Sequence, residues 1–465
     1  MIRFRDISSL GKLIILESLI LIVHCVIFVF YPDESRYIGN FVFPSLVSII
    51  IGFIIGYQIK NNLSGSRTVV IAWMYGFILA AVPFYMYHGL DIIQALFESV
   101  SSFTTTGFSI LDVENIPKVY LLYRGFLQYV GGLGFVMTVM LFVHEKGSVV
   151  LYEAEGHQDK LMPNISKTVK VIVLMYISFL VIGTSLYAMA GMTIFDSIVH
   201  TMCALSTGGF SNKALSIGYY NSTSIEIISV ILMAIGTTNF SLLLLLFKGR
   251  IREFFRSSEI RLLGTIILIT VPLMVLFLIE NNSLIESVKL AFFNIFSAIS
   301  TTGFSTSDYH TWPETSLMIM IILMIIGGGI GSTSGGIKLG RVARILKVLK
   351  TNITKKFISQ RTVTLTYYSK GCDKEILDDK QIADDMTYAS TYIILFLIGT
   401  LALTYFGGYT IIEGAFEFAS AIGTVGLSIG ITNINTPSIC LIIEIIGMIL
   451  GRLEIFVIIE AIYKK

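Results

Sequence analysis

Charge is what this sequence has least of: Asp, Glu, Lys and Arg together supply 14% of its 465 residues. Soluble domains carry roughly a quarter, so a water-facing globular class is excluded. The four cysteines, Cys25, Cys203, Cys372 and Cys440, stand far apart and offer neither a disulfide framework nor a metal-ligand spacing. Histidine is scarce too, with six in all. No paired His, HExxH pattern or intramembrane Asp pair is present, so nothing points to an enzyme or to a resident cofactor. The first apolar run lacks a small-residue cleavage site after it, which predicts a retained helix rather than a signal peptide.

What fills the chain instead is apolar: 54% hydrophobic residues and a mean hydropathy of +0.80 describe an all-α polytopic membrane protein. Leu13 to Tyr31 and Phe41 to Tyr57 are each about one bilayer long as helices. The turn between them carries Pro32, Asp33, Glu34 and Arg36. Residues 1–67 therefore read as a transmembrane hairpin.

The rest repeats one pattern four times: a long apolar run, a short amphipathic run, a glycine-centred stretch and a second long run. The units span 68–150, 151–250, 251–385 and 386–465. Their glycine stretches read Ser102-Phe-Thr-Thr-Thr-Gly-Phe-Ser109, Ala204-Leu-Ser-Thr-Gly-Gly-Phe-Ser211, Ala298-Ile-Ser-Thr-Thr-Gly-Phe-Ser305 and Ser420-Ala-Ile-Gly-Thr-Val-Gly-Leu-Ser428. With Gly107, Gly209, Gly303 and Gly426 in register, a serine follows two places later each time, at Ser109, Ser211, Ser305 and Ser428. Six places earlier stand the small Ser101, Cys203, Ser297 and Ser420; ten places earlier the apolar Phe97, Val199, Phe293 and Phe416.

An apolar segment of about 10–14 residues is too short to span and reads as re-entrant. Each unit is then helix, half-helix, loop, helix, and the whole has ten spanning helices and four half-helices around one pore. Non-helical backbone at membrane depth is tolerated where it lines a watery cavity. Four such loops predict one shared cavity, where rings of carbonyl oxygens replace the water of a dehydrated cation and half-helix dipoles add negative potential. Thr424-Val425-Gly426 is close to the Thr-Val-Gly of potassium-channel filters.

Of the 33 Lys and Arg residues, all but six fall on one side of this arrangement. Arg36, Lys118, Arg124, Lys213 and Lys289 fall on the other, and Arg452 lies within a span. The positive-inside rule then puts both termini in the cytoplasm and the four glycine stretches outside.

With these residues in view, the chain resembles the membrane subunit of the Trk, Ktr and HKT potassium-transporter superfamily over nearly its whole length. The likeness rests on the four glycine stretches, on Gly327-Gly-Gly-Ile-Gly-Ser-Thr-Ser-Gly-Gly-Ile-Lys338 and on Gly451-Arg-Leu-Glu454. The amino-terminal helix pair and Ser216 to Tyr220 are similar to the TrkH type, the fourth stretch to the KtrB type. The resemblance implies a potassium filter at Thr105, Thr106, Gly107, Thr207, Gly208, Gly209, Thr301, Thr302, Gly303, Thr424, Val425 and Gly426. Gly208 departs from Thr106, Thr302 and Val425, which implies a looser ring there. It implies a gating loop at Gly327, Gly328, Gly329, Gly331, Ser332, Thr333, Ser334, Gly335, Gly336 and Lys338, with Arg452 beside it. It also implies a homodimer in the lipid of a bacterial plasma membrane, on cytosolic nucleotide-binding (RCK-type) regulatory subunits; no nucleic-acid partner is expected.

Other readings stand beside these. Six glycines in Gly327 to Gly336 cannot hold helix well, and a cavity-lining loop suits them better than a kink. A phosphate-binding loop fails because Ile337 separates the last glycine from Lys338 and no strand precedes it. Arg452 is either a barrier near that loop or a structural ion pair with Glu417 or Glu98, since a charge in an apolar run must face the interior. Gln128, Gly131, Gly132, Asn239 and Phe240 read as packing residues, and His200 and His310 as chemically silent. The alternatives for function are a sodium-permeable or Na+/H+-coupled transporter of the same fold, or a non-conducting receptor or scaffold.

Overall fold

A computed structural model describes residues 7–58, 65–87, 89–134, 165–357, 366–370 and 373–463. Helices α1 (Ser9–Val23) and α2 (Ile38–Gln58) form the amino-terminal hairpin. Small residues let them touch: a Cβ on Gly11 would overlap the backbone of Gly56. Ser18 donates to Ser48 at 2.7 Å, and Ser45 donates to the Ser18 carbonyl at 2.6 Å. Without a hydrophobic drive between helices in lipid, such close packing and interhelical hydrogen bonds hold them together.

The first helices of the four units are α3 (Gly65–Met86), α6 (Ile165–Met189), α11 (Ser258–Leu278) and α15 (Asp379–Gly407). The half-helices are α4 (Ile92–Phe103), α7 (Ile194–Leu205), α12 (Leu284–Ile299) and α16 (Ile411–Ile422). All four half-helices open with a side-chain cap, from Asp91, Thr193, Ser283 and Thr410, accepting from the backbone N–H three residues on. The third begins one turn earlier than the others.

The second helices are where the structure departs from ten uninterrupted spans. Among the described residues six helices are long and apolar enough to cross in one piece, and they are α1 with its 3-10 extension, α2 and the four first helices. Each second helix stops after 13 to 16 residues: α5 (Lys118–Leu133), α8 (Thr223–Thr237), α13 (Glu314–Ile326) and α17 (Ser438–Arg452). After α8 the chain turns by 113° into α9 (Phe240–Phe247), and after α17 it resumes as α18 (Ile455–Tyr463). Beyond residue 134 the first unit's second run lies outside the described residues. The sequence marks such a break in the third unit alone, because Thr238, Leu453 and Glu454 carry no helix-breaking signature.

The basic face carries α10 (Ile251–Arg256) and α14 (Leu339–Lys355), and an antiparallel hairpin absent from the all-helical expectation, β1 (Tyr367–Lys370) with β2 (Asp373–Ile376), packs against α11 and α14.

Candidate functional site

Each half-helix ends by turning its chain back through the same conformation. The threonine two places before the glycine has positive φ in all four units: Thr105 (58°), Thr207 (51°), Thr301 (55°) and Thr424 (49°). That is a strained state for a β-branched residue. The glycines are also positive, at 94°, 70°, 84° and 84° for Gly107, Gly209, Gly303 and Gly426. The residue between them is tied back to the half-helix. Thr106, Gly208, Thr302 and Val425 donate N–H to the carbonyls of Ser101, Cys203, Ser297 and Ser420 at 3.0, 2.8, 3.0 and 2.8 Å. These are the small residues six places before each glycine.

The four loops close into a ring. A Cβ on Gly107 would overlap the carbonyl oxygen of Gly208; on Gly209, that of Thr302; on Gly303, that of Val425; and on Gly426, that of Thr106. Each glycine thus lies against the carbonyl immediately preceding the next unit's glycine, and the fourth returns to the first. Only a residue without a β-carbon permits this approach.

A second set of repeat-equivalent residues braces the ring from behind, nine places before each glycine: Glu98, His200, Asn294 and Glu417. Ser109 donates to Glu98 at 2.8 Å and Ser428 to Glu417 at 2.6 Å. His200 Nε2 shares a hydrogen with Ser211 at 2.9 Å. Asn294 Nδ2 donates to Thr306 at 3.0 Å. The carboxylates also accept the next backbone N–H, from Ile110 at 2.7 Å and Ile429 at 3.3 Å. His200 is therefore a bracing residue and not a silent one. The serines two places after the glycines were visible as a repeat; the braces were not, because three kinds of side chain share the task and Asn294 performs it on Thr306.

Two residues of α5 differ from their sequence reading. Arg124 is no outer-loop cation: it is buried, 3.3 Å from Glu98 through Nε, with its guanidinium 3.9 Å from the centre of the Phe210 ring. Gln128 is more than packing, since its Nε2 donates to the Gly208 carbonyl at 2.5 Å and its Oε1 accepts from Phe210 N–H at 3.3 Å. A Cβ at position 208 would meet the Gln128 amide. Glycine stands at 208 because the neighbouring side chain fills that space, so the ring is braced there and not loosened.

Beneath the ring lies the segment from Gly327 to Lys338, and its neck is closed by the backbones of Gly327 and Gly336 in contact. Inside it, Ser332 donates to Gly329 O at 2.7 Å and lies 2.6 Å from Ser334. Gly329 N–H and Thr333 Oγ1 bind carbonyls freed by the end of α8, at Thr237 (2.9 Å) and Gly236 (2.9 Å). A Cβ on Gly328 would collide with Thr237 Oγ1, and Gly331 O accepts from Phe240 N–H at 3.4 Å. Lys338 Nζ donates to Ser334 O.

This segment and Arg452 meet the positive-φ threonine of every unit. Arg452 Nη1 reaches Thr105 Oγ1 at 3.3 Å, and Thr333 Oγ1 lies 3.1 Å from Thr207 Oγ1. Gly335 N–H donates to Thr301 Oγ1 at 2.8 Å, and a Cβ on Gly335 would strike Thr424 Oγ1. Arg452 also donates to Thr333 O at 2.7 Å, to Gly132 O at 3.0 Å and to Gly131 O. Pairing with Glu98 or Glu417 is ruled out by geometry: Glu98 belongs to Arg124, Ser109 and Ile110, and Glu417 to Ser428 and Ile429. His310 lies exposed in the short 3-10 turn Tyr309–Thr311.

The TrkH family of cation transport proteins matches residues 65–464. An uncharacterized cation transporter of Methanocaldococcus jannaschii is 30% identical over 96% of this chain and 92% of its own length. The Trk system potassium uptake protein TrkG of Escherichia coli is 30% identical over 96% of this chain and 95% of its own. The crystal structure of the potassium transporter TrkH from Vibrio parahaemolyticus superposes with a TM-score of 0.85 at 25% identity, covering 100% of this chain and 99% of that one. A ring of four glycine loops with a glycine-rich segment beneath it, and matches of this breadth, lead to one statement: the chain belongs to the TrkH family of membrane cation transport proteins.

Proposed function

We propose that this protein takes up potassium selectively across a bacterial plasma membrane, with both termini in the cytoplasm. The observation that carries the proposal is the closed ring, in which each glycine lies against the next unit's carbonyl. A cation on its axis meets Thr106, Gly208, Thr302 and Val425 carbonyls from four sides, which replace its lost water. The half-helices turn the negative ends of their dipoles towards the same region. The relatives carry potassium in their names, which supports that ion as the cargo.

In this reading Gly327 to Gly336 is the gate and Arg452 its latch. The segment touches threonines at the inner edge of the ring, and the guanidinium adds a positive charge on the cation's route. Opening requires Arg452 to leave Thr333 O and the segment to release Thr207 and Thr301. A homodimer with cytosolic nucleotide-binding subunits is the expected assembly, and the basic helices α10 and α14 supply the surface for such partners.

Rubidium uptake into liposomes holding the purified protein, with unlabelled potassium and sodium as competitors, tests this. Competition by potassium alone supports the selective pore. Equal competition by sodium replaces it with the sodium-permeable reading, and no uptake with or without cytosolic partners overturns transport in favour of a scaffold.

A further inference from the structure

Four positions on the second helices are equivalent by their distance from the residue preceding each helix: seven places after Pro117, Ser222, Pro313 and Pro437 stand Arg124, Ser229, Met320 and Glu444. In the first unit this residue meets the brace of its half-helix as an ion pair, Arg124 with Glu98. In the fourth unit the brace is again a glutamate, Glu417, yet its neighbour is a second glutamate. Both are buried, Glu417 at 0% and Glu444 at 1% exposure, on the packed helices α16 and α17, and one loop holds them side by side: Ile429 donates to Glu417 and Thr432, three residues on, to Glu444.

The hydrogen bonds distinguish the two carboxyls. Glu417 accepts from Ser428 Oγ and from the Ile429 N–H, as an ionised brace would. Glu444 Oε1 accepts from Thr432 Oγ1 at 2.9 Å, whereas its Oε2 is buried without a partner. Among the described ion pairs none includes either residue. The groups that face the pair from packed elements are Tyr409 before α16 and Cys440 on α17. Glu98 on the adjoining α4 has its own arginine. Among the described residues no cation offsets a second negative charge, and like charges side by side in a dry interior do not both ionise.

We propose that Glu417 and Glu444 form a proton-binding site behind the fourth loop, with the proton on Glu444 and the charge on Glu417. The proton does in the fourth unit what Arg124 does in the first: it lets the brace stay charged and keep its hold on Ser428 and Ile429. Alkaline pH releases that proton to water. The two carboxylates then repel, Glu417 loses its grip, and the loop bearing Val425 and Gly426 loosens. The effect on transport rests on the filter reading given above; the site itself does not.

Infrared spectroscopy of the detergent-purified full chain tests the site directly, through the carbonyl band of a protonated carboxyl. The wild type minus Glu444→Gln difference at neutral pH should show this band, and titrating the wild type to alkaline pH should remove it. Glu444→Met, which installs the third unit's residue, should lose the same band and provides a second background should Glu444→Gln fold poorly. In liposomes with equal pH on both sides, wild-type preference for potassium over sodium should fall several-fold as the band disappears. Both variants should hold theirs constant. A difference spectrum without the band overturns the proton site whatever the transport result. A band that titrates while selectivity stays flat overturns its action on the loop, and absence of uptake from every sample counts against the filter reading alone.

Discussion

Arg341 Nη2 donates to Glu454 Oε2 at 2.9 Å, and Nη1 to Oε1 at 3.3 Å, joining the break after α17 to the first turn of α14. Glu454 sits at a φ of 53° two residues after Arg452, and Arg341 follows Lys338 by three. The pair therefore fixes Arg452 relative to the helix that leaves the glycine-rich segment. A half-buried charged hydrogen bond of this kind contributes about 1.5–3 kcal/mol. Glu454→Gln should shift the closed state towards open, raising rubidium uptake by the protein alone about tenfold. Unchanged uptake from a correctly folded Glu454→Gln protein would remove the pair from gating.

The ring predicts that a side chain at position 303 disturbs selectivity more than folding. A serine Cβ there would meet the Val425 carbonyl, displacing one oxygen of the ring while the other three units stay in place. Gly303→Ser should lower the potassium-to-sodium permeability ratio by about tenfold, equivalent to 1.4 kcal/mol. Bi-ionic reversal potentials measure the ratio directly, and an unaltered ratio would count against the filter assignment.

Arg124 and Glu98 make the opposite case, where stability responds before selectivity. Removing one partner of a buried ion pair leaves an uncompensated charge and costs about 3–5 kcal/mol. Arg124→Ala should therefore melt well below the wild type in detergent. The double variant Arg124→Met with Glu98→Gln should recover most of the loss, because it removes both charges and keeps the bulk. A double variant no more stable than Arg124→Ala would show that the cation stacked on Phe210, and not the ion pair, is what matters.

Shortening the segment beneath the ring is predicted to raise flux. Removing residues 331 to 334 deletes Thr333, whose hydroxyl binds the Leu205 and Gly236 carbonyls at 3.0 and 2.9 Å and whose carbonyl holds Arg452. With the tip of the segment and its hold on Arg452 both gone, the proposed gate should open and uptake should rise several-fold. A shortened protein that folds and conducts no better would end the gating role.

How much of this could be read beforehand depended on whether a repeated task used a repeated residue. The half-helices and ring glycines were legible because the same backbone demand falls on Gly107, Gly209, Gly303 and Gly426, and glycine alone meets it. The braces were illegible since glutamate and histidine reach the serine two places past the glycine, whereas asparagine reaches Thr306, three places past it. Another shared position escaped for a different reason: Gly131, Gly236, Gly327 and Gly451 each stand fourteen places after the residue preceding their helix. In three units they press on the last carbonyls of the half-helix, at Phe103, Leu205 and Ile422. Glycines are common enough in apolar helices that this set carried no signal without the contacts.

Gly208 offers the sharpest test of that argument, because its identity is explained by a residue in another unit. The Gln128 amide occupies the space a side chain at 208 would need, and it donates to the Gly208 carbonyl that lies against Gly107. Gly208→Thr restores the residue found at positions 106 and 302, yet here it should overpack the site and cost about 1–3 kcal/mol. Gln128→Ala frees the space but leaves the carbonyl without its donor, so it should soften selectivity with a smaller loss of stability. Combining the two should return the melting temperature close to that of Gln128→Ala alone, since the threonine then has room. Thermal unfolding of the four proteins closes the cycle: a Gly208→Thr penalty that persists in the Gln128→Ala background would mean that backbone conformation, and not the neighbouring amide, requires glycine at 208.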